Sequence, residues 1–479
     1  MSRANPKVEH VVVLMLENRS FDHALGFLKR VDPRIEGLRG DESNPRSLVD
    51  ASKGRVTVRD DAGYVGDLRI DPGHRLPDVC VQLYGSRART DAPTSPFDGE
   101  GACDGFVASY GEQLFVADGA PIMKCFSPES LPALATLARQ FAVCDHWFAS
   151  VPGPTWPNRL FVHAATSNGH ADDVPRDYPM PTIFDLLTQA DEPWRIYYHD
   201  IPVALLLESL RKDVFKGAFR RFEAFLEDAR AGTLPSYSFI EPRYTELFTW
   251  KANDQHPDHD VRLGEDLIAD VYEAVRASPC WEKTLLVVVY DEHGGTFDHV
   301  FPPRTTSPDG KTWSEGGLTF AFDRLGVRVP AIVVSPFVPK ATVDASVYDH
   351  TSILATLRKC FALPNALTAR DLAAASFETL LSLDAPRSDT PLKLPRHAVE
   401  RSVLREIEMT IEHVVAACEA SLASTRPVTD LQRSLVRLAR SLDVDETPME
   451  RALGAARIIA TEHDAALMVR ERMARFVGR

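Results

Sequence analysis

The sequence has little cysteine and no long apolar run, and both absences exclude classes of protein. Its seven cysteines form no CxxC pair and no zinc-finger spacing, which predicts reduced, mostly buried thiols. No run of about 18 apolar residues occurs, so no membrane-spanning helix is expected. The apolar run at 10–16 is too short for an export leader, which predicts a cytoplasmic location. Export of a longer precursor is the alternative.

Basic residues are outnumbered by acidic ones. Lys and Arg total 54 against 68 Asp and Glu, a formal net charge of −14. A broad groove for nucleic acid needs the opposite balance, so no nucleic-acid partner is expected. Hydrophobic residues make up 44% of the 479 residues and charged residues 25%, which excludes a wholly disordered or fibrous chain.

Continuous apolar runs of strand length occur at 10–16, 284–291 and 329–336. Such runs are typical of parallel strands buried on both faces. Strands that alternate with helices predict an α/β protein with a mostly parallel central sheet and helices on both faces. The helical patterns lie at 131–141, 181–190, 219–232 and 261–278.

Composition divides the chain at two further places. Residues 30–130 are rich in Gly, Pro, Asp and Arg, which predicts a loop-rich insertion within a catalytic domain of residues 1–395. Residues 396–479 are nearly all helix-forming and predict a C-terminal helical extension. We expect this extension to pack or to join copies in a homo-oligomer, and to be dispensable for chemistry.

Acidic side chains end two of the predicted strands. Glu17 and Asn18 follow the first run, and Asp291 and Glu292 end the second. If the two strands are neighbours, all four side chains reach one crevice at the carboxyl ends of the sheet. Such oxygen ligands predict a divalent metal ion of unspecified identity, whose charge would offset their repulsion. The alternative is a pair of unrelated acidic turns.

Three prolines and a glycine surround one hydroxyl, that of Thr155, in the segment 151–161. Pro157 suits the first turn of a helix, whose N-terminus would offer N–H groups to a phosphate. Arg159 would add a bidentate contact to that phosphate. Thr155 could then act as a nucleophile whose hydroxyl is activated by a metal ion. The alternative is that this segment is an ordinary helix cap or turn.

Histidines recur in the polar loops. Each alone suits a structural role, but several near carboxylates indicate phosphoryl-binding groups or proton donors. They are His74, His199, His256, His259, His299 and His350.

Six ordered segments together resemble the phosphoesterase family of bacterial phospholipases C, plant non-specific phospholipases C and acid phosphatases, within the alkaline-phosphatase-like superfamily. The resemblance spans roughly residues 8–365. The segments are ENRSFDH (17–23), PTWPNRLF (154–161), NDQHP (253–257), YDEHGGTFDHV (290–300), RVPAIVVSP (328–336) and DHTSIL (349–354).

The resemblance implies a metal-dependent phosphoesterase with the alkaline-phosphatase-like fold. Its nucleophile would be Thr155, which would attack phosphorus and form a phospho-threonine that water then hydrolyses. The substrate would be a phosphate ester, with a phospholipase C-type diester favoured. An acid phosphatase-like monoesterase is one alternative, and a metal- or ligand-binding protein that has lost catalysis is another.

The family's functional positions carry over by motif. The metal ligands would be Glu17, Asn18, Thr155, Asp291 and Glu292. The catalytic histidines would be His74, His199 and His256. His293 belongs to the same motif as the second acidic pair and, with Arg159, is a candidate substrate-binding residue.

Overall fold

A computed structural model of the chain describes residues 5–85, 99–246 and 251–397, together with residues 433–435, 437, 438, 467–469 and 472. Eight of the strands in this part of the chain form one sheet, and the other four form two small hairpins. The strands are β1 (His10–Leu16), β2 (Ser43–Pro45), β3 (Arg55–Thr57), β4 (Ala142–Cys144), β5 (Trp194–Tyr198), β6 (Phe219–Arg221), β7 (Tyr237–Glu241), β8 (Thr284–Tyr290), β9 (Trp313–Glu315), β10 (Leu318–Phe320), β11 (Ala331–Val334) and β12 (Thr342–Asp344).

The large sheet is mostly parallel, as the apolar runs predicted. Its strand order is β12-β4-β11-β8-β1-β7-β5-β6. Strand β1 pairs in parallel with β7 and β8, whereas β11 runs antiparallel to both β8 and β4. Every residue of β8 is buried, as expected for a β-branched strand covered on both faces.

Helices occupy most of the connections between strands. The long helix α9 packs against α4, α8 and β8. The α-helices of the described residues are α1 (Phe21–Leu25), α2 (Leu76–Tyr84), α3 (Phe106–Gly111), α4 (Pro132–Gln140), α5 (Thr155–Ala164), α6 (Ile183–Gln189), α7 (Glu208–Arg211), α8 (Phe222–Ala231), α9 (Val261–Ala277), α10 (Thr351–Cys360) and α11 (Ala369–Ala373).

Three predicted helices match α4, α6 and α9, but the pattern at 219–232 contains two elements. Phe219–Arg221 is strand β6, which pairs with β5 at the edge of the sheet. Only Phe222–Ala231 is helical. The helix prediction was wrong for the first three residues because their pairing depends on a neighbouring strand that a local pattern does not contain.

The region 30–130 contains the β2–β3 hairpin and the short helices α2 and α3. These elements have a hydrophobic cluster of their own, which includes Val56, Leu76 and Phe106 and extends to Phe297 in the loop after β8. The described residues of this region therefore pack beside the carboxyl end of β8.

Most of the predicted helical extension lies outside the described residues. The few residues of the extension that the structure describes pack against the core of the large sheet. Four of them are buried in the same hydrophobic cluster as the strands, namely Leu435, Leu438, Met468 and Val469. Within the described residues, six cysteines are free and five of these are buried. No helix there has the length and apolarity required to cross a membrane.

Candidate active site

The two acidic strand ends lie side by side. Strands β1 and β8 pair from His10 with Thr284 to Leu16 with Tyr290, so Glu17 and Asp291 leave the sheet at matching positions. The backbone N–H of Asn18 donates to Asp291 Oδ1 at 3.1 Å. All of these side chains, and that of Glu292, are fully buried. The crevice expected at the strand ends therefore exists.

Thr155 is the first residue of α5, and its hydroxyl faces this crevice. Its Oγ1 lies 3.2 Å from Glu17 Oε2 and 3.3 Å from Asn18 Oδ1. The preceding turn is fixed by Asn158, whose amide nitrogen donates to three carbonyls of residues 151–154 at 3.0–3.2 Å. Because the turn is braced from within, the hydroxyl keeps its position between two oxygens of the first strand end.

Arg159 lies one helical turn beyond Thr155 and faces the same carboxylates. Its Nε donates to Glu17 Oε1 at 2.9 Å and to Asp291 Oδ2 at 3.0 Å. Its Nη2 donates to the carbonyls of Met15 and Leu16 at 3.3 and 3.2 Å. The guanidinium is 1% exposed, so in this structure it holds the acidic side chains together beneath the site. Its Nη1 makes no hydrogen bond among the described residues and lies 3.8 Å from Glu241 Oε2.

Burial dominates the electrostatics of the crevice. It raises the pKa of Glu17 well above its usual value, and Arg159 offsets only part of this effect. Burial likewise raises the pKa of Asp291 to about 6. For Glu292 the pKa is lowered, because His74 and its neighbour His293 outweigh the effect of burial. Two of the carboxyl groups in the site are thus held where burial disfavours their charged forms and Arg159 offsets only part of that effect.

Two glycines give the second acidic turn its shape. Gly294 has φ +59°, and a Cβ there would lie 2.3 Å from the Asn18 carbonyl oxygen. Gly295 has φ +68°, and its Cβ would lie 2.6 Å from the carbonyl oxygen of Gly73. Both positions require glycine for conformation and for space. The second contact brings the loop that carries His74 against the Glu292 turn.

The oxygens of the crevice fit a divalent cation. One oxygen of Glu17 and one of Asn18 lie within 3.3 Å of the Thr155 hydroxyl, so three oxygens are close together. Glu292 Oε1 is buried and has no hydrogen-bond partner among the described residues. An orphaned buried carboxylate oxygen costs free energy, and a cation beside it would remove that cost. The chemistry of this donor set, carboxylate, amide and hydroxyl, is that of a hard metal ion.

Two other groups of side chains in the described residues have potential metal-ligating atoms within 4.8 Å of one another. In the first, Arg328 bridges Asp22 Oδ1 at 3.0 Å and Asp298 Oδ1 at 2.9 Å, and Asp22 also accepts from His299. A guanidinium at its centre makes this group an ion-pair network. The second consists of His256, Asp258 and His259 in the loop before α9.

His74 and His256 both lie close to Asp71. His74 Nδ1 is 2.8 Å from the carbonyl oxygen of Pro72 and 3.8 Å from Asp71 Oδ1. His256 Nε2 is 3.6 Å from the same carboxylate oxygen. The influence of His74 on Glu292 places it near the acidic turn, so two of the three candidate catalytic histidines share one region.

His199 and His293 have both ring nitrogens in contact with protein atoms. His199 Nδ1 donates to the Glu241 carbonyl at 2.9 Å, and Asn253 donates to its Nε2 at 3.4 Å. Burial lowers the pKa of His199 to about 3, so the ring is neutral. His293 is 2.8 Å from Gln82 Oε1 and 3.3 Å from Glu292 Oε2. Both rings thus position other groups in this structure.

His350, in the last of the six motifs, reaches the site from α10's N-terminus. Its Nε2 donates to the Asp291 carbonyl at 2.5 Å, and its Nδ1 accepts from Trp147 at 3.4 Å. Burial lowers its pKa to about 4, which keeps it in this neutral form. The ring therefore fixes the backbone that carries the acidic pair.

Several acidic residues of the site were missed by the sequence analysis. Glu241 ends strand β7, beside β1, and its Oε2 lies 3.8 Å from Arg159. This residue carried the same strand-end signal as Glu17, in the buried run YSFIE, and could have been found. Asp71, Asp254 and Asp258 lie in loops and carried no strand-end signal. Asp254 and Asp258 contact His259 and His256 of their own loop, and which of these side chains meet depends on the path of that loop.

A cavity of about 280 Å³ opens next to Pro154, the residue before Thr155. Charged and polar side chains line most of it, and three of them belong to the C-terminal region. Ser434 anchors that region by donating to the Asp173 carbonyl at 2.9 Å. The lining residues are His74, Arg75, Pro154, Asp172, Asp173, Val174, Arg433, Ser434 and Arg437.

Comparison with known proteins shows the family of the chain. The family model of the phosphoesterase family matches residues 8–364, so the chain belongs to that family. It is a hydrolase that acts on phosphoric ester bonds.

Individual relatives carry phospholipase names. Non-specific phospholipase C6 of Arabidopsis thaliana is 44% identical over 82% of this chain and 76% of the relative. Phospholipase C B of Mycobacterium tuberculosis is 28% identical over 84% of this chain and 85% of the relative. A solved member of the alkaline phosphatase superfamily from Vibrio parahaemolyticus aligns with a TM-score of 0.30 and 13% identity, over 50% of this chain and 63% of that one.

Proposed function

We propose that the chain is a metal-dependent phosphodiesterase of the phospholipase C type that uses Thr155 as its nucleophile. The observation that carries the proposal is the buried Thr155 hydroxyl, held within 3.3 Å of Glu17 and Asn18 at the start of α5. A hydroxyl enclosed by acidic and amide oxygens suits covalent catalysis. The names of the plant and mycobacterial relatives support a phospholipid substrate.

The proposed metal ligands are Glu17, Asn18, Thr155, Asp291 and Glu292. A divalent ion there would activate the hydroxyl and neutralise charge on the phosphoryl oxygens. Arg159 would keep Glu17 and Asp291 together, because its guanidinium already contacts both carboxylates. We accordingly assign Arg159 to positioning of the carboxylates in place of substrate binding.

In the first step, Thr155 Oγ1 would form a bond to phosphorus while the bond to the leaving alcohol breaks. Glu17 Oε2, 3.2 Å away, is placed to accept the hydroxyl proton. His74 and His256 would bind the remaining phosphoryl oxygens or protonate the departing oxygen. Water would then attack the phospho-threonine and restore the free hydroxyl. His199 and His293 would hold Asn253 and Gln82 in place around the site.

The second candidate function is phosphomonoester hydrolysis. The cavity beside Pro154 favours it, because its lining is mostly polar and includes three arginines. A closed polar pocket suits a monoester, whereas an apolar groove suits a lipid.

One substrate panel tests both functions. Purified full-length enzyme is assayed with phosphatidylcholine vesicles, a soluble phosphodiester and p-nitrophenyl phosphate, with and without a chelator. Faster release of the phosphorylated headgroup supports the proposed activity, and preferential monoester hydrolysis supports the second candidate. Peptide mass mapping of quenched enzyme tests the nucleophile, because Thr155 should carry the phosphorylated headgroup after reaction with a diester and phosphate after reaction with a monoester. Full activity of Thr155→Ala would overturn the mechanism.

A further inference from the structure

The loop before α9 contains a carboxylate–imidazole pair that the six motifs do not explain. Asp258 Oδ1 lies 2.5 Å from His256 Nδ1, and both side chains are buried. Asp258 follows the NDQHP segment and lies outside it. The contact fixes which ring nitrogen points away from the loop, since an imidazole whose Nδ1–H donates to a carboxylate presents Nε2 on the other side.

The other ring nitrogen of His256 lies in the same region as His74, a second candidate catalytic histidine. His256 Nε2 is fully enclosed and has no hydrogen-bond partner among the described residues. It lies 3.6 Å from Asp71 Oδ1, which is also 3.8 Å from His74 Nδ1. An enclosed ring nitrogen that makes no hydrogen bond costs free energy, and such groups in native proteins are commonly retained for function.

We propose that Asp258 is a positioning residue that orients His256 as the proton donor to the leaving group. The proposal rests on the proposed function, because it assumes in-line attack by Thr155. As the bond from phosphorus to the leaving oxygen breaks, the proton on Nε2 moves to that oxygen. The protonated ring thereby becomes neutral and keeps its Nδ1–H on Asp258. Water that attacks the phospho-threonine returns one proton to Nε2, which balances the cycle.

Other charged groups around His256 are compatible with this role. Arg19 donates to the His256 carbonyl at 3.2 Å and is a nearby cation. His259 has its own partner, because its Nδ1 lies 2.7 Å from Asp254 Oδ1. Burial lowers the pKa of His256, but the charges of Asp71 and Asp258 outweigh it and raise the value. The two carboxylates thus favour the protonated ring that the donor role requires.

The test compares two phosphodiesters that share a headgroup and differ in the leaving group, p-nitrophenol or an aliphatic alcohol. A proton donor matters for the alcohol and little for p-nitrophenol. General acid catalysis contributes about 10²–10⁴-fold. We expect Asp258→Asn to lower kcat on the alkyl ester by about 100-fold or more and on the p-nitrophenyl ester by less than about 5-fold.

Asp260→Asn is the matched control, because Asp260 lies two residues away in the same loop and pairs only locally with Arg262. Asparagine can still cap α9 there, so we expect near-normal rates on both esters. Asp258→Glu should restore part of the alkyl-ester rate, and a melting curve confirms that each variant is folded.

The outcomes separate the two proposals. An equal loss on both esters in folded Asp258→Asn would overturn the positioning role while leaving the nucleophile untouched. Undiminished hydrolysis of both esters by Asp258→Asn would also overturn it. Activity of Thr155→Ala on either ester would instead overturn the proposed function itself.

Discussion

Thr155 Oγ1 lies 3.2 Å from Glu17 Oε2, although the two residues are separated by 138 positions in the chain. The helix N-terminus and the end of the central strand thus meet at one buried point. This contact joins the proposed nucleophile to the proposed metal ligands, and the first predictions follow from it.

Replacement of Thr155 should affect chemistry far more than folding. Thr155→Ala removes one buried hydrogen-bonding group, which is worth about 1 kcal/mol. Turnover should fall by several orders of magnitude, because the covalent route is lost. Thr155→Ser retains an Oγ and should keep part of the activity. Hydrolysis rates measured beside melting curves decide the question, and near-normal turnover by folded Thr155→Ala would favour attack by water.

Arg159→Met should destabilise the fold. It leaves Glu17 and Asp291 buried without their shared cation, at a cost of about 3–5 kcal/mol. Their pKa values are already raised by burial and would rise further, so the folded state would bind protons more tightly than the unfolded one. The loss of stability should therefore grow as pH rises from about 5 to about 8.

Urea unfolding at both pH values measures this effect. Arg262→Met is the matched control, because Arg262 pairs with Asp260 near the surface and should cost about 0–1 kcal/mol. An Arg159→Met protein as stable as the control at the higher pH would show that the carboxylates do not need the guanidinium.

A divalent ion should stabilise the protein against heat. Binding to the folded state alone adds about 2.7 kcal/mol at a free metal concentration of 100 Kd. We expect Tm to rise with the activating metal and to return to its original value with a chelator. Glu292→Gln should weaken the rise, whereas Glu227→Gln, at an exposed position on α8, should not. Equal shifts in both variants would place the ion elsewhere.

Gly294→Ala should disrupt the site through one methyl group. Its φ of +59° and the 2.3 Å approach of its Cβ to the Asn18 carbonyl oxygen both oppose the substitution. Gly310→Ala is the matched control, because Gly310 has φ +71° but nothing within 4 Å of its Cβ. The control should lose about 1–2 kcal/mol, whereas Gly294→Ala should lose more, together with activity. Calorimetry and a turnover assay on both variants check this.

Arg437→Glu should change substrate affinity, because Arg437 lines the cavity beside Pro154. Reversing its charge should raise KM for an anionic phosphate ester several-fold with little change in kcat, and added salt should reduce the difference. Arg230→Glu, at an exposed position on α8, is the control. An unchanged KM would agree with a C-terminal region that is dispensable for chemistry.

The sequence predicts the framework of the site because strand ends follow directly from apolar runs. Glu17 and Asp291 could each be placed at the end of a buried strand from the two β-branched segments alone. That β1 and β8 are neighbours, the condition for the two residues to meet, comes from the structure. Phe219–Arg221 could not be assigned, because its strand exists only through pairing with β5.

Side-chain direction was harder to predict than position. Arg159 was predicted to contact phosphate, but α5 turns its guanidinium toward the strand ends, where two buried carboxylates bind it. The pairing of Asp258 with His256 likewise depends on the path of a loop, which residue types alone do not determine. Charge and spacing identify candidates, and only the tertiary structure decides which of them face one another.

The position of β1 at the centre of the sheet has a consequence for synthesis. The partners of β1 are β7 and β8, which begin at Tyr237 and Thr284. A ribosome therefore completes more than 220 further residues before β1 can pair on either side. Until then the strand HVVVLML has two unpaired edges and apolar side chains on both faces. Newly made chains should depend on chaperones for longer than those whose first strand lies at an edge.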